Sequence, residues 1–334
     1  TGSNEEARRV EVTIQPSCVI AYPTGMGDNA SMATDTARPR TGPWAVGAPT
    51  LRYETHAGDR VVPCFSSRPP DLFAMFQGAV VRNPSGVALV CGDTRVTWAA
   101  LDSHVATRAS ALARQGIGRG DRVGLFLRNG LEFPMTLLAL ARLGAIGVPL
   151  SARSKAPELR YILSHCGAAA LVFDTALASE LSGVGHVPTL RARLCAEMWR
   201  SDAPVQADVT TPPVRVAEDD VALIMYTSGT TGHPKGAMVT HLNLVHVALL
   251  YEYCMGLTMG DRSLVAVPMS HVTGIAAHIA TVIRCASTLV IMELFKAADF
   301  LALAARERMT HTVLVPAMYN LCLLEPSLST VDLT

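Results

Sequence analysis

Residues 226–236 read YTSGTTGHPKG and come directly after the apolar run 221–225. These eleven residues include three Thr, one Ser, three Gly and one Lys. Glycines let backbone N–H groups approach anionic oxygens, hydroxyls donate further hydrogen bonds, and a lysine adds a mobile positive charge. The composition therefore predicts a loop that binds a polyphosphate at the end of a buried strand. A flexible Ser/Gly turn would not require a lysine held between Pro234 and Gly236.

The segment differs from the P-loop of common nucleoside triphosphatases. That motif reads GxxxxGK[ST], whereas here two residues separate Gly232 from Lys235, and Gly236 follows the lysine. The hydroxyl that binds magnesium in a P-loop is therefore missing. Other catalytic motifs are absent as well: the sequence contains no GxSxG, HExxH or HxxxD, and 116–121 (GIGRGD) lacks the final glycine of GxGxxG.

Strand and helix patterns alternate on both sides of the predicted loop. Apolar runs predict strands at 87–91, 122–127, 146–150, 169–173, 221–226, 263–267, 288–292 and 312–315. Periodic apolar stripes predict helices at 98–112, 131–143, 157–165 and 242–255, the first capped by Thr97 and the last by Thr240. This alternation predicts an α/β fold of stacked βαβ sub-domains with mostly parallel sheets.

Composition shifts along the chain predict three regions. Residues 1–45 lack a sustained period, and we expect an irregular leader that is disordered or not native. A first α/β sub-domain is expected over 46–215, and a second over 216–334 carries the loop and is incomplete at its C-terminus. The polar stretch 201–217 reads as the linker between them. The acidic residues 218–220 are expected to form a solvated strand entrance.

Charge and cysteine usage exclude several classes of protein. The 28 basic and 28 acidic residues balance, so the chain has no basic footprint for nucleic acid. The eight cysteines form no CxxC pair and no zinc-finger spacing, which predicts buried thiols in a reducing, cytoplasmic setting and no metal site. Residues 264–292 are apolar but contain Pro268 and Arg284, which favours a buried strand–helix–strand unit over a transmembrane helix.

The loop sequence resembles the phosphate-loop signature of the adenylate-forming superfamily, which includes acyl-CoA synthetases, firefly luciferase and peptide-synthetase adenylation domains. Four further segments resemble that family in the same order: 96–105 (VTWAALDSHV), 140–150 (LARLGAIGVPL), 267–275 (VPMSHVTGI) and 311–323 (HTVLVPAMYNLCL). The similarity covers about residues 50–330. The resemblance implies an α/β fold, that of the large N-terminal domain of an adenylate-forming enzyme in truncated form.

This resemblance implies a two-step reaction. A carboxylate attacks the α-phosphate of ATP, pyrophosphate leaves, and the thiol of coenzyme A then displaces AMP from the acyl-adenylate. ATP, Mg²⁺ and coenzyme A are the implied cofactors, and a small-molecule carboxylic acid is the partner. Positioning and charge stabilisation dominate the first step.

The resemblance also assigns roles to individual residues. Lys235 would neutralise charge on the leaving pyrophosphate, and His271 would contact the acyl-adenylate. Thr273 and Gly274 would lie against the acyl group. The groups that would surround the β- and γ-phosphates are those of Thr227, Ser228, Gly229, Thr230, Thr231, Gly232 and Lys235.

Some family segments do not occur in this sequence. These are YGxTE, TGD and the C-terminal domain with its lysine, which hold adenine, ribose and magnesium in the family. We therefore expect little adenylation by this chain alone, no magnesium ligand within it, and an uncovered apolar face that promotes self-association.

Two alternatives stay open beside an acyl-CoA ligase. One is an amino-acid adenylation domain of the peptide-synthetase type, and the other is a catalytically inactive truncated homologue. No acidic residue lies between His271 and Glu293. A substrate ammonium group would need such a partner, so this absence favours an uncharged acyl group such as a fatty acid.

Overall fold

Strands and helices alternate along the chain as the sequence predicts. The computed structural model describes residues 49–56, 58–199, 211–227 and 233–333. The predicted leader, 1–45, and most of the predicted linker, 201–217, lie outside the described residues.

The described residues contain twelve strands: β1 (Leu51–His56), β2 (Arg60–Phe65), β3 (Val87–Cys91), β4 (Thr94–Thr97), β5 (Arg122–Phe126), β6 (Ile146–Pro149), β7 (Ala170–Phe173), β8 (Ala192–Cys195), β9 (Val221–Thr227), β10 (Lys235–Thr240), β11 (Arg262–Val265) and β12 (Thr288–Ile291). The same residues contain nine α-helices: α1 (Leu72–Arg82), α2 (Trp98–Arg114), α3 (Glu132–Leu143), α4 (Ala156–His165), α5 (Ala178–Leu181), α6 (His241–Met255), α7 (Thr281–Cys285), α8 (Ala297–Arg306) and α9 (Pro316–Leu323). A π-helical segment spans Thr273–Ala280 and leads directly into α7.

Two larger sheets and one hairpin organise these strands. The first sheet has the order β10-β9-β6-β5-β7-β8, and all its neighbours are parallel except β10 and β9. The second has the order β11-β12-β3-β4, with only the β3–β4 pair antiparallel. The prediction of mostly parallel sheets is therefore confirmed. Strands β1 and β2 form a separate antiparallel hairpin.

The sub-domain boundary predicted near residue 215 does not separate the two larger sheets. Strand β9 follows that position yet pairs with β6, and β12 follows it yet pairs with β3. Each larger sheet thus takes strands from both sides. The two sub-domains stay a prediction about stretches of sequence.

Helix α3 is buried on every side, since all twelve of its residues are buried. It packs against α1 and α2 within a hydrophobic core that also includes residues of both larger sheets. Its two charged residues are satisfied, as burial requires. Glu132 Oε2 lies 2.6 Å from Arg108 Nη2, and Arg142 Nε donates to Thr211 O at 3.0 Å.

Both predicted helix caps are confirmed. Thr97 Oγ1 accepts a hydrogen bond from Ala100 N at 3.2 Å. Thr240 Oγ1 accepts from Asn243 N at 3.2 Å, and Asn243 Oδ1 accepts in return from Thr240 N at 3.0 Å. Each cap satisfies a backbone N–H that the first turn of a helix leaves unpaired.

The strand predicted at 312–315 is wrong. A single parallel bridge joins Ser263 to His311, and Thr312 Oγ1 donates to Leu264 O at 2.6 Å. The extended stretch ends there because Pro316 opens α9. Proline fits the first helical position but has no N–H to continue a sheet ladder.

Acidic residues 218–220 directly precede β9 and keep 27–44% of their side chains exposed, and each of them also has a polar partner. Glu218 accepts hydrogen bonds from Arg68 at 2.6 and 2.9 Å. Asp219 Oδ1 lies 2.9 Å from His56 Nδ1, and Asp220 accepts a hydrogen bond from Arg119 at 2.7 Å. These partners lie 101 to 163 residues away in the sequence, so no local pattern reveals them.

The apolar segment 264–292 folds as predicted, with the π-helical segment and α7 between β11 and β12. In the described part of the chain, no helix has the length and apolar character that crossing a membrane requires. Helix α9 leaves Leu321 and Leu323 more than half exposed, and Leu324 beyond it is 79% exposed. Self-association through this apolar face stays a prediction.

Candidate functional site

Strands β9 and β10 bring together the two ends of the predicted phosphate loop. Their antiparallel register places Lys235 directly opposite Thr227, and both residues are exposed. We call this pair the loop neck. Five predicted phosphate ligands lie outside the described residues: Ser228, Gly229, Thr230, Thr231 and Gly232. The sequence predicts the loop but not β10, which begins at Lys235 itself.

Close packing between β9 and β10 requires a glycine at position 236. Gly236 lies opposite Tyr226 in the register. A Cβ at this position would come within 2.8 Å of Ile224 Cγ2 and 3.2 Å of the Tyr226 ring. Because any larger residue would push these side chains away, the glycine after the lysine fixes how closely β10 approaches β9.

Aromatic residues of α4 support the C-terminal end of the loop. Tyr161 stacks between His165, at 5.4 Å, and His233, at 5.1 Å between ring centroids. Its hydroxyl donates to Pro234 O at 3.2 Å, and His165 Nδ1 lies 2.6 Å from the Tyr226 hydroxyl. Burial raises the pKa of Tyr226 to about 12, so this phenol stays neutral. The sequence does not predict this support, since α4 and the loop are distant in the chain.

His271 lies in a tight turn before the π-helical segment. Its backbone N–H donates to Pro268 O at 3.0 Å, and its Nδ1 accepts from Thr273 N at 3.3 Å. Thr273 Oγ1 lies 3.2 Å from the same nitrogen. A backbone N–H can only donate, so the neutral ring carries its proton on Nε2. His271 is exposed, and Nε2 has no hydrogen-bond partner within the part of the chain that the structure describes.

Gly274, predicted to lie against an acyl group, is buried against backbone instead of open space. A Cβ there would lie 2.6 Å from both Met269 Cα and Pro268 O. This approach requires glycine whatever ligand binds nearby. Thr273 beside it is half-buried.

Asn129 is a residue that the sequence analysis does not single out. Its Oδ1 accepts from Met269 N at 2.8 Å, and its Nδ2 donates to Val267 O at 2.9 Å and to Met292 O at 3.0 Å. Asn129 therefore ties the chain after β5 to the segments that follow β11 and β12. An Asn-Gly pair after a buried strand is the one available signal, and it indicates a turn.

Asn129 brings the His271 turn to the edge of the sheet that carries the loop neck. Strands β5, β6 and β9 are parallel, so their carboxyl ends meet at one edge. The ends of β5 and β9 are two strands apart, about 10 Å at the usual interstrand spacing. The two predicted catalytic residues, Lys235 and His271, thus follow segments that are held at the same edge.

A cavity of about 350 Å³ opens beside Asn129. Its walls include Arg128, Asp174 and Glu293. Arg128 N donates to Asp174 Oδ2 at 2.7 Å, while burial raises the pKa of that carboxyl. None of the described residues predicted for phosphate or acyl binding lines this cavity.

Comparison with known proteins gives consistent matches. The family described as AMP-binding enzyme matches residues 76–333. The long-chain-fatty-acid–CoA ligase FadD13 of Mycobacterium tuberculosis is 34% identical over 248 residues, which cover 72% of this chain and 48% of that protein. The feruloyl-CoA synthase of an Amycolatopsis species is 32% identical over 254 residues, covering 75% of this chain and 50% of the synthase.

A solved structure agrees with these matches. The inhibitor-bound N-terminal domain of FACL13 from Mycobacterium tuberculosis superposes with a TM-score of 0.71 at 30% identity. The superposition covers 79% of this chain and 67% of that domain. The chain spans about half the length of the curated relatives it matches. The predicted fold, that of an N-terminal domain of an adenylate-forming enzyme, is confirmed.

Proposed function

The chain belongs to the AMP-binding enzyme family, and on that premise we propose that it takes part in ATP-dependent activation of a carboxylic acid. The acid would become an acyl-adenylate and then a thioester of coenzyme A. The observation that carries this proposal is the loop neck, where Lys235 stands opposite Thr227 at the mouth of a Gly/Ser/Thr loop.

The neck supports phosphate binding on physical grounds. Lys235 is exposed and has no ion-pair partner within the residues that the structure describes, so its ammonium group is available to an anion. Thr227 adds a hydroxyl at the same place. We propose that Lys235 stabilises the negative charge that develops on pyrophosphate as it leaves. Such a group acts mainly in the transition state, which raises the rate more than the affinity.

We propose that His271 holds the other side of the reacting centre. Thr273 fixes the ring so that Nε2–H points away from the turn as a donor. A donor of this kind suits an oxygen of the carboxylate or of the α-phosphate. Asn129 would act as a positioning residue because it fixes residues 267–269 just before the turn.

The substrate that we propose is an uncharged acyl acid, fatty or aromatic. The two relatives are named for a long-chain fatty acid and for ferulate, and neither substrate carries an ammonium group. The stretch between His271 and Glu293 has no acidic residue to bind one. An amino-acid substrate is therefore the less favoured alternative.

The loop neck offers magnesium one oxygen, the hydroxyl of Thr227. Mg²⁺ requires an octahedron of oxygen ligands, and the ammonium group of Lys235 supplies only N–H donors. The YGxTE segment that binds magnesium in the family does not occur in this sequence, so the roles proposed for Lys235 and His271 involve no metal. Coenzyme A likewise enters as a requirement of the proposed reaction, without a residue assigned to it. A cytoplasmic location stays a prediction.

Carboxylate-dependent exchange of pyrophosphate into ATP tests the proposal. The assay uses short, medium, long and aromatic acids, with amino acids as a further set. It is run on this chain and on the protein extended to the stop codon of its reading frame. We expect exchange with at least one uncharged acid in the extended protein and little in the chain alone.

The outcomes separate the three candidate functions. Exchange that depends on an amino acid would favour an adenylation domain of the peptide-synthetase type. Absence of exchange with every acid in both proteins would overturn the ligase proposal and favour the inactive homologue.

A further inference from the structure

Three side chains of the β1–β2 hairpin converge on one face. Glu54 and His56 alternate along β1, and Cys64 lies on β2 diagonally across from Glu54. His56 Nε2 is 3.5 Å from Glu54 Oε2 and 3.6 Å from Cys64 Sγ. Within the described residues this is the one cluster of three potential metal ligands whose donor atoms lie within 4.8 Å of one another. All three residues precede position 76, where the family match begins.

Two of the three separations match the edges of a zinc tetrahedron, and the third, between the Glu54 carboxylate and Cys64 Sγ, is at most 4.8 Å. With Zn–N of about 2.0–2.1 Å, Zn–O of about 2.0–2.2 Å and Zn–S of about 2.3 Å, neighbouring ligands lie about 3.3–3.6 Å apart. The two observed distances therefore need almost no rearrangement. Cysteine, histidine and glutamate together form a ligand set that zinc accepts.

The other ring nitrogen of His56, Nδ1, has the kind of carboxylate partner that zinc-bound histidines have. His56 Nδ1 lies 2.9 Å from Asp219 Oδ1. A proton held there by the carboxylate leaves the lone pair of Nε2 facing Glu54 and Cys64. A metal-bound histidine almost always donates its other N–H to a carboxylate, a carbonyl or water, which fixes its tautomer.

The local charge also suits a divalent cation. Hydrogen bonds from Arg68 and Arg52 hold the pKa of the Glu54 carboxyl well below its usual range, so this ligand is already anionic. Each of its oxygens has two lone pairs, which lets Oε2 accept from Arg68 and still bind a metal. With Cys64 as thiolate and His56 neutral, two net negative charges remain on the contacting groups: Glu54, Cys64, Glu218, Asp219, Arg52 and Arg68.

We propose that Glu54, His56 and Cys64 form a Zn²⁺ site, with water as the fourth ligand and Asp219 orienting His56. The Cys64 side chain is almost fully buried, so it reaches the metal from the protein side, while Glu54 and His56 are partly accessible. Zinc displaces the thiol proton, which leaves to solvent, and the thiolate becomes the ligand. The bound ion would fasten the hairpin to residue 219, two residues before β9.

Metal titration of the purified chain tests the site. The protein is freed of metal with a chelator under reducing conditions and titrated with Zn²⁺ by calorimetry, then with Co²⁺ by absorption. We expect one equivalent of tight binding and a thiolate-to-cobalt charge-transfer band. Cys64→Ser and His56→Gln should abolish both signals, while Cys195→Ser and His186→Gln should leave them unchanged.

Asp219→Asn separates a metal site from a network of hydrogen bonds. Its side chain is 44% exposed, so the variant should fold even if Cys64→Ser does not. Loss of an outer carboxylate should weaken zinc about 10–100-fold while one equivalent still binds. Absence of binding or of the band in the folded wild-type chain would overturn the proposal, as would binding that survives Cys64→Ser. The test uses neither ATP nor acid, so its outcome is independent of the proposed ligase activity.

Discussion

The two ends of strand β9 differ in how their charges are satisfied. At its amino end, acidic residues 218–220 are paired with Arg68, His56 and Arg119. At its carboxyl end, Thr227 and Lys235 are exposed, and no ion pair to Lys235 occurs within the described residues. Strand β9 thus has paired charges at its amino end and, at its carboxyl end, a lysine that forms no ion pair within the described residues.

This difference separates stability from binding. At the amino end, Arg68 is held away from water with a side chain only 5% exposed, whereas Asp219 and Asp220 are 44% and 35% exposed. Removal of a buried charge leaves its partners uncompensated. An exposed lysine without a partner adds little to stability but can meet an anionic ligand at no cost in broken contacts. We therefore expect the amino end of β9 to support the fold and the carboxyl end to support chemistry.

Replacement of Lys235 should have the greatest consequence for activity. Lys235→Ala should lower the rate of pyrophosphate exchange in the extended protein about 10²–10³-fold, as loss of one charge-stabilising donor does elsewhere. The thermal midpoint should not change because the side chain is exposed. Lys296→Ala, at an exposed lysine 3.9 Å from Asp299, is the matched control. Exchange within twofold of wild type in Lys235→Ala would contradict the assignment.

Replacement of Arg68 should be costly for stability instead. Its side chain is only 5% exposed and binds both Glu54 and Glu218. Arg68→Ala should lower the free energy of unfolding by about 2–3 kcal/mol, because two carboxylates lose their shared partner. Urea unfolding followed by circular dichroism measures this loss. Arg119→Ala removes an exposed pair with Asp220 and should cost no more than about 0.5 kcal/mol, so equal losses would contradict the contrast.

Low pH should destabilise the folded protein at the amino end of β9, because Glu54 loses its charge. The pKa of its carboxyl lies below the ordinary value because of Arg68 and Arg52, so the folded state resists protonation. The stabilisation is present above the unfolded-state pKa of about 4.3 and is lost as the pH falls below it. Glu54→Gln should therefore show a shallower fall in thermal midpoint below about pH 4.3 than the wild type.

The control for this pH profile is Glu158→Gln. Glu158 is exposed and forms no ion pair within the part of the chain that the structure describes. Its pH profile should follow the wild type. A Glu54→Gln profile with the same slope as the wild type would show that the pairing with arginine does not contribute to acid stability.

Removing one hydroxyl at the carboxyl end should have a small effect. Tyr161→Phe loses the 3.2 Å hydrogen bond to Pro234 O but keeps the ring that stacks on His233. We expect KM for ATP in the extended protein to rise about two- to fivefold, with kcat unchanged, as one neutral hydrogen bond is worth about 0.5–1.5 kcal/mol. Tyr319→Phe, which removes a bond to Thr312 O, should leave KM unchanged. A rise in both variants would contradict a local role for Tyr161.

Local signals in the sequence predict much of the fold. Strand β3 begins and ends where its apolar run does, and the caps at Thr97 and Thr240 are those of the structure. Each of these depends on residues within a few positions of one another. The loop motif is local as well, so its family could be identified from eleven residues.

Long-range contacts could not be predicted in this way. Arg68 meets Glu218 across 150 residues, and His56 meets Asp219 across 163. No sequence motif around these residues indicates which distant residue each one contacts. Asn129 shows the same limit, since its hydrogen bonds to Val267 and Met292 depend on how the two sheets are placed.

The most direct test of this account measures activity and stability together in the extended protein. Pyrophosphate exchange and urea unfolding are recorded for the wild type, Lys235→Ala and Arg68→Ala, well below the temperature at which either variant unfolds. We expect Lys235→Ala to lose exchange and keep stability, and Arg68→Ala to lose stability and keep exchange. Two variants that lose both properties in parallel, or a Lys235→Ala protein that still catalyses exchange at the wild-type rate, would contradict this expectation.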